Sequence, residues 1–426
     1  MAIKTKPMNP TDAYPGLANR IVECSRQISE VVTRTPLQRI PRLSDKYGAE
    51  IYFKREDQQV VRSYKIRGAY NTMIHLEEGA SARGVVCASA GNHAQGVAYS
   101  CRLMQVKGHI FMPEVTPRQK LEKVRSFGGE WVQIELTGTT YDEAYEQAIQ
   151  FCQAQNMTFL HPFDNLHTII GQGTVGAEIF ADLPDVDVIV VPVGGGGLLS
   201  GVSVVANHYN AGCKVIGVDP AGAPKMVEAL REGGPVRLDS IDPFIDGAAV
   251  RQVGSIPFHI CSLYAHRVIA TREGKVCSTM IELYQQEGII AEPAGVLSIA
   301  ALDQLQEEIR GKKVVCVLSG GNNDLARYPE VIERSLVYEG LKHYFIIEFA
   351  QKPGELRTFL NNVLGPDDDI VRFEYLKKTS KEFGPALVGI ELSRPQDLQP
   401  LLERFKQAHF RFRNVTNDDM LRKYFI

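Results

Sequence analysis

The stretch Val188-Ile189-Val190-Val191-Pro192-Val193-Gly194-Gly195-Gly196-Gly197-Leu198-Leu199 is an uncharged apolar run that passes into four consecutive glycines. Continuous apolar runs of this length are typical of strands buried on both faces of a parallel sheet. Because the glycines lack a Cβ atom, their N–H groups can close around an anion at the start of a following helix. The uncharged run continues to residue 206, but Pro192 and the glycines favour a strand, a turn and a helix over a membrane span.

The same order of strand, turn and helix recurs over much of the chain. Other short apolar runs end at Ala88, Val218 and Leu318, and helical patterns follow them. Strands that alternate with helices predict an open α/β sheet. Ligands of such sheets bind outside the carboxyl ends of the strands, so the loops after residues 88, 193 and 318 are expected to meet in one cleft. The length of 426 residues predicts two or three domains.

The composition narrows the class of protein further. A formal net charge of −3 gives no reason to expect nucleic acid or an anionic membrane as a partner. Eight cysteines without a C-x-x-C pair predict neither a zinc site nor a disulfide framework, and they favour a reducing cytoplasm. The N-terminal residues lack the apolar segment of a secretory signal. A cytoplasmic globular protein is therefore expected.

The pattern changes after about residue 330. Residues 331–341 predict a linker helix, and residues 342–426 predict a separate α+β module in which strands and helices follow in the order βαββαβ, typical of a ferredoxin-like fold. The strands are expected at 343–350, 370–379, 386–393 and 410–416, and the helices at 353–364 and 395–409. The turn Phe349-Ala350-Gln351-Lys352-Pro353-Gly354-Glu355-Leu356 resembles that of ACT-like regulatory domains, which bind amino acids.

Four segments together resemble the threonine/serine dehydratase family of pyridoxal 5'-phosphate (PLP) enzymes. They are Ser63-Tyr64-Lys65-Ile66-Arg67-Gly68-Ala69, Ser89-Ala90-Gly91-Asn92-His93, Gly194-Gly195-Gly196-Gly197 and Ser319-Gly320-Gly321-Asn322. The resemblance covers about residues 20 to 330. It implies a two-lobed open α/β catalytic region of fold type II (tryptophan synthase β-like) within residues 1–330, with a smaller lobe inserted at about 55–165.

The resemblance also implies a role for each segment. Lys65 would hold the PLP aldehyde as a Schiff base and later act as the base, which requires a deprotonated amine. Asn92 would hydrogen-bond the ring oxygen of the cofactor, and Ser319 its pyridine nitrogen. The residues expected at the phosphate are Gly194, Gly195, Gly196, Gly197 and Leu198. Those expected at the substrate carboxylate are Ser89, Ala90, Gly91, Asn92 and His93.

Several details separate this chain from its relatives. Ala90 stands where serine racemases of this fold carry a proton-donating serine, so racemisation is disfavoured. Asp219 matches a ligand of a divalent-metal site in some relatives, but Lys225 stands where a second carboxylate belongs. We therefore expect no metal site. Tyr64 replaces the usual phenylalanine, and its hydroxyl needs a partner. The role of Glu292 stays open between an active-site acceptor and an acid at a helix N-terminus.

One glycine motif matches a dinucleotide-binding pattern, but we expect it to have another role. Gly171-Gln172-Gly173-Thr174-Val175-Gly176 fits the dinucleotide pattern G-x-G-x-x-G. No clear strand precedes it, and no acidic residue lies at the offset that binds a ribose. These glycines are therefore expected to serve helix packing, and a nicotinamide site is rejected.

The sequence as a whole favours a cytoplasmic PLP-dependent dehydratase of L-threonine, and of L-serine, in isoleucine biosynthesis. The C-terminal module would sense isoleucine or valine, and relatives suggest a homotetramer. Two alternatives stay open. One is a β-replacement enzyme related to cysteine synthase, and the other is a non-catalytic amino-acid sensor.

Overall fold

A computed structural model describes residues 14–375, 382–418 and 420–421. The chain divides into two compact units, of which the first runs to Glu273 and resumes over Leu283–Asp324. The second comprises Gly274–Glu282 and the residues from Leu325 onward. Within the described ranges, no helix has both the length and the hydropathy that a membrane crossing requires.

The first unit contains two sheets and the helices that cover them. Its strands are β1 (Leu37–Arg39), β2 (Glu50–Arg55), β3 (Val85–Ala88), β4 (Gly108–Met112), β5 (Val132–Leu136), β6 (Thr158–Phe159), β7 (Val188–Pro192), β8 (Lys214–Pro220), β9 (Arg267–Thr271) and β10 (Lys313–Leu318). Its helices are α1 (Leu17–Gln27), α2 (Pro41–Tyr47), α3 (Lys65–Ile74), α4 (Ala80–Arg83), α5 (Asn92–Met104), α6 (Arg118–Gly128), α7 (Tyr141–Ala154), α8 (Leu166–Asp182), α9 (Gly197–Tyr209), α10 (Lys225–Glu232), α11 (Ser255–Tyr264), α12 (Glu273–Glu287, which the division into units crosses), α13 (Leu297–Ala300) and α14 (Leu302–Ile309).

The two sheets have the topology of an open α/β fold. The larger has the strand order β1-β2-β10-β7-β8-β9 and is parallel except for β1. The smaller, β5-β4-β3-β6, is parallel throughout, and its residues come between β2 and β7 in the chain. Every residue of β3 and β7 is buried, as the continuous apolar runs predicted. The expected α/β fold class is confirmed.

Glycines let the helices α3 and α9 pack closely against α8, which fixes where α3 and α9 begin. A Cβ atom on Gly171 of α8 would lie 2.4 Å from the carbonyl oxygen of Arg67 in α3. One on Gly201 of α9 would lie 2.6 Å from the Cα of Gly173. The glycines of the dinucleotide-like pattern thus serve helix packing, as expected. They hold α3, which begins at Lys65, and α9, which begins at Gly197, against α8.

A buried ionic network holds α3 through the side chain of its residue Arg67. The Arg67 guanidinium donates to both carboxylate oxygens of Glu56, at 2.8 Å each, and to both of Glu178, at 2.7 and 2.9 Å. The Lys54 ammonium donates to Glu178 at 2.6 Å. Since the side chains of Arg67, Glu56 and Lys54 are almost wholly inaccessible to water, this arrangement is specific and costly to break.

Among its described residues, the second unit contains one antiparallel sheet and three more α-helices. Its elements are α15 (Tyr328–Tyr338), β11 (Lys342–Ala350), α16 (Glu355–Asn362), β12 (Asp369–Tyr375), β13 (Phe383–Glu391), α17 (Leu398–Gln407) and β14 (Arg411–Asn414). The strand order is β12-β13-β11-β14. Phe345, Ile347 and Phe349 alternate along β11 into a core shared with Phe359 and Phe405 of the two later helices. The predicted βαββαβ order is confirmed, although residues 376–379 of the expected second strand lie outside the described residues.

Candidate functional site

The three loops that were expected to converge do converge. A cavity of about 300 Å³ lies in the first unit at the carboxyl ends of β3, β7 and β10. The residues expected at the site that line it are Lys65, Ser89, Ala90, Gly91, Asn92, His93, Gly194, Gly195 and Ser319. Gly196, Gly197 and Leu198 continue the glycine turn into α9 and are not among the lining residues.

Lys65 is the first residue of α3, and its amine lies within the cavity. The Nζ atom donates to the carbonyl oxygen of Pro162 at 3.1 Å and lies 5.3 Å from the centre of the Tyr64 ring. Desolvation lowers the pKa of this amine to about 8, and the nearby Glu292 only partly opposes the shift. The amine therefore loses its proton more readily than a solvated lysine, as nucleophilic and basic chemistry requires.

The glycine turn leaves no room for side chains at Gly195 and Gly196. A Cβ atom on Gly195 would lie 2.1 Å from the Phe163 ring, and one on Gly196 would lie 2.7 Å from the Met226 methyl group. Gly196 also has a φ of +96°, a conformation that only glycine adopts readily. The N–H groups at the start of α9 have no partner within the helix, so they suit a phosphate.

Asn92 begins α5 and joins both lobes around the cavity. Its Nδ2 atom donates to Glu292 Oε1 at 2.6 Å, and its Oδ1 atom accepts from Asn322 Nδ2 at 2.8 Å. Burial and the nearby Asp246 raise the pKa of Glu292 to about 7, against the opposing hydrogen bond from Asn92. Glu292 precedes a short 3₁₀ helix without capping it by its side chain, and it lines the cavity.

The loop before α5 presents donors rather than a base. The Ser89 hydroxyl accepts from the N–H of Gly91 at 3.2 Å. His93 Nε2 bonds the carbonyl oxygen of Leu160 at 2.9 Å, and desolvation lowers the pKa of the imidazole to about 3. This histidine is therefore neutral and held in place. Its Nδ1 atom, buried beside the cavity, has no partner within the described ranges.

Ser319 follows β10 and keeps its hydroxyl available. The Oγ atom is 3.5 Å from the carbonyl oxygen of Ala294, at the limit of a hydrogen bond. Ser319 itself is only 3% exposed, so this loosely held hydroxyl is enclosed by protein. An alcohol in such surroundings can bond a ring nitrogen without carrying a charge.

Comparison with known proteins agrees with this geometry. Residues 28–320 match the family described as pyridoxal-phosphate dependent enzyme, and residues 333–425 match the C-terminal regulatory domain of threonine dehydratase. Biosynthetic L-threonine dehydratases of Halalkalibacterium halodurans and Bacillus subtilis are each 50% identical over 402 residues, covering 94% of this chain and 97% and 95% of theirs. This chain belongs to the threonine dehydratase family of PLP-dependent enzymes.

Solved structures related to the family share its catalytic fold. The processed form of threonine deaminase isoform 2 from Solanum lycopersicum matches with a TM-score of 0.72 and 36% identity, covering 75% of this chain and 93% of that one. Maize serine racemase matches with a TM-score of 0.70 and 28% identity, covering 75% and 98%. Backbone shape alone therefore does not separate dehydratase from racemase, and individual residues must do so.

The residues at the site fit the cofactor of this family. A desolvated amine, a glycine turn in which a Cβ atom at Gly195 or Gly196 would clash, an amide donor and an enclosed hydroxyl are the groups that PLP needs at its aldehyde, phosphate, ring oxygen and ring nitrogen. The chain supplies them from Lys65, Gly194 to Gly197, Asn92 and Ser319.

A buried ammonium lies beside Asp219, the residue for which the resemblance raised the question of a metal ligand. Lys225 Nζ donates to Asp219 Oδ1 and to the carbonyl oxygen of Val193, both at 2.7 Å. The other carboxylate oxygen accepts from the N–H groups of Met226 and Val227. Both side chains are fully buried. The Lys225 ammonium thus neutralises this carboxylate internally.

Further residues around the cavity were not singled out from the sequence. The phenyl ring of Phe163 lies where a Cβ atom on Gly195 would be, and Tyr141 of α7 also lines the cavity. Lys120 and Lys123 of α6 reach across to Asp246 and Asn322, respectively. Only Asn322 carried a signal, as the last residue of the quoted run 319–322. The others are isolated side chains that tertiary contacts alone bring to the site.

Proposed function

We propose that this chain is a PLP-dependent threonine dehydratase that converts L-threonine into 2-oxobutanoate and ammonia in isoleucine biosynthesis. The observation that carries the proposal is the amine of Lys65, desolvated in a cavity that a glycine cradle and the Ser319 hydroxyl also line. Biosynthetic relatives at 50% identity over nearly the whole chain support the choice of substrate and pathway. When bound, the cofactor supplies an electron sink.

The chain's own residues divide the remaining work. The loop Ser89 to His93 offers N–H groups and a hydroxyl at the start of α5, where a substrate carboxylate is favoured. Lys65 Nζ takes the proton from the substrate Cα, a positioned general-base step. Enclosure by Tyr64, Phe163 and Pro162 limits water around that atom.

Elimination of the β-hydroxyl is favoured over the competing reactions for two reasons. Ser319 is a neutral alcohol, so it would bond the ring nitrogen of a bound cofactor without supplying a charge, which would favour prompt loss of the β-hydroxyl group. Ala90 carries no proton to deliver to the opposite face of the substrate. L-Serine, which lacks only the γ-methyl group of threonine, would give pyruvate by the same route, because one methyl group changes selectivity by only about 1–3 kcal/mol.

The test of this activity is product analysis with defined amino acids. We expect 2-oxobutanoate from L-threonine, and pyruvate from L-serine, without any added nucleophile. Chiral analysis of the remaining amino acid should find no D-isomer. A product that forms only when sulfide is added would instead indicate β-replacement. Failure of the purified protein to bind PLP would favour an amino-acid sensor.

We further propose that the C-terminal module regulates this activity. Residues 1–330 would form the catalytic region, 331–341 a linker helix and 342–426 an ACT-like module that binds isoleucine or valine. The match of residues 333–425 to a regulatory domain and the ferredoxin-like strand order support this assignment. The cysteine content favours a cytoplasmic protein. The resemblance favours a homotetramer, and analytical ultracentrifugation can test this oligomeric state.

Deletion of residues 342–426 should separate regulation from catalysis. We expect kcat for threonine to stay within a few-fold of the full-length value, because every residue that lines the cavity precedes residue 325. Isoleucine, which should inhibit the full-length enzyme, should have no effect on the truncated one. PLP absorbance and the melting temperature control for folding. Unchanged inhibition after truncation would contradict an effector site in this module.

A further inference from the structure

Four polar side chains form a continuous hydrogen-bonded chain along the cavity. Lys123 Nζ donates to Asn322 Oδ1 at 3.1 Å, and Asn322 Nδ2 donates to Asn92 Oδ1 at 2.8 Å. Asn92 Nδ2 then donates to Glu292 Oε1 at 2.6 Å. Asn322 Nδ2 makes a second bond, to the carbonyl oxygen of Val61 at 2.7 Å. All four linked side chains line the cavity.

The orientation of the Asn322 amide is determined by two partners whose hydrogen-bonding roles cannot change. An amide side chain can be turned by 180° with almost no change of shape, so its direction must come from its neighbours. The Val61 carbonyl can only accept, and the Lys123 ammonium can only donate. Together they force Asn322 to place its NH₂ group toward Val61 and its oxygen toward Lys123. Reversing it would set an oxygen against the Val61 carbonyl.

The direction of Asn322 determines that of Asn92. Both hydrogens of Asn322 Nδ2 have acceptors, at Val61 and at Asn92 Oδ1. The oxygen of Asn92 must therefore face Asn322, and its NH₂ group must face Glu292 and the cavity. One hydrogen of that group bonds Glu292, and the other remains for a ligand.

We infer that Asn322 is a positioning residue that fixes the Asn92 amide with its NH₂ group toward the ring oxygen of the cofactor. The inference rests on the proposed contact between Asn92 and that oxygen. With Asn92 reversed, its Oδ1 atom would face the ring oxygen and the Glu292 carboxyl group, so the contact with the ring oxygen would become unfavourable, as would the contact with an ionised Glu292.

The backbone around Asn322 leaves little room for adjustment. A Cβ atom on Gly320 would lie 2.4 Å from Glu292 Oε1, and one on Gly321 would lie 3.0 Å from an Arg62 nitrogen and from the Ile290 carbonyl oxygen. The N–H of Gly321 also donates to the Arg62 carbonyl oxygen at 2.9 Å. The segment that carries Asn322 is therefore held closely against the segment before Lys65.

The test replaces Asn322 in the full-length holoenzyme. Asn322→Asp keeps the shape of the side chain and removes both N–H donors, so Asn92 gains a reason to turn its NH₂ group away from the cavity. We expect the Kd for PLP to rise about 10- to 100-fold. The visible absorbance spectrum of bound PLP, which reports the protonation of the ring oxygen, should change at constant pH.

Two further variants control for charge and folding. Asn323→Asp adds the same charge one residue away, at a side chain that is not one of the four hydrogen-bonded side chains. In the described contacts, Asn323 Oδ1 accepts only the N–H of Asp324. Its Kd and spectrum should stay within about twofold of wild type, because Asn323, although half-buried, does not line the cavity. Asn322→Ala removes the donor without adding charge and should give an intermediate Kd, since Asn92 is then free to adopt either orientation.

Asn92→Ala separates failure of this inference from failure of the underlying proposal. If Asn92→Ala leaves both the Kd for PLP and the spectrum unchanged, the proposed contact of Asn92 is wrong and the inference falls with it. If Asn92→Ala changes both, while Asn322→Asp and Asn322→Ala each match Asn323→Asp, the positioning role of Asn322 alone is overturned.

Discussion

Replacement of Lys65 by alanine is expected to lower kcat for L-threonine by about 10³-fold or more, because it removes a positioned general base and the covalent attachment of the cofactor together. The glycine cradle and Asn92 are untouched, so PLP should still bind, though more weakly. Continuous measurement of 2-oxobutanoate gives the rate. Borohydride reduction followed by mass spectrometry shows whether the cofactor remains linked to the chain.

Lys120→Ala is a suitable control, since Lys120 also lines the cavity but pairs with Asp246 at its edge. It should keep the covalent link. Since desolvation lowers the pKa of Lys65 to about 8, recombination of the wild-type apoenzyme with PLP should also accelerate as pH rises through 8, where the amine loses its proton. A Lys65→Ala enzyme with near wild-type kcat, or a link at another lysine, would contradict the assignment.

The convergence of the site could be predicted because it depends on local patterns. Runs ending at Ala88, Val193 and Leu318 are apolar without alternation, which is typical of buried parallel strands, and the loops after such strands share one edge of their sheet. The role of Lys65 could not be predicted from local patterns alone. Its role was visible only through resemblance, since an isolated lysine at the start of a helix is normally a solvated residue. The structure adds the desolvation that makes its amine reactive.

Other features of the site have no local signature. Asn92 and Glu292 are 200 positions apart, and their contact depends on how two lobes close around one cavity. Asp219 and Lys225 are closer in the chain, and the sequence did predict that a lysine at position 225 is incompatible with a metal ligand there. It did not predict that the ammonium would also bond the carbonyl oxygen of Val193, because the direction of a buried side chain is set by the packing around it.

Breaking the ion pair between Lys225 and Asp219 should cause the largest loss of stability among single substitutions at the site. Lys225→Met fills a similar volume but leaves the Asp219 carboxylate buried without its counter-ion, which typically costs about 3–5 kcal/mol of unfolding free energy. The bond to the Val193 carbonyl is lost as well, directly before the glycine cradle. We therefore expect a raised Kd for PLP in addition to a lowered midpoint of urea unfolding.

A double-mutant cycle distinguishes the ion pair from simple packing. Asp219→Asn combined with Lys225→Met removes both charges, so the double variant should lose less stability than the sum of the two single variants. The exposed pair Arg118–Glu122 serves as the control, and its removal should change the unfolding free energy by no more than about 0.5 kcal/mol. Additive effects at 219 and 225 would contradict a buried, charged pair. In that case the support of the glycine cradle would have to come from packing around Val193 instead.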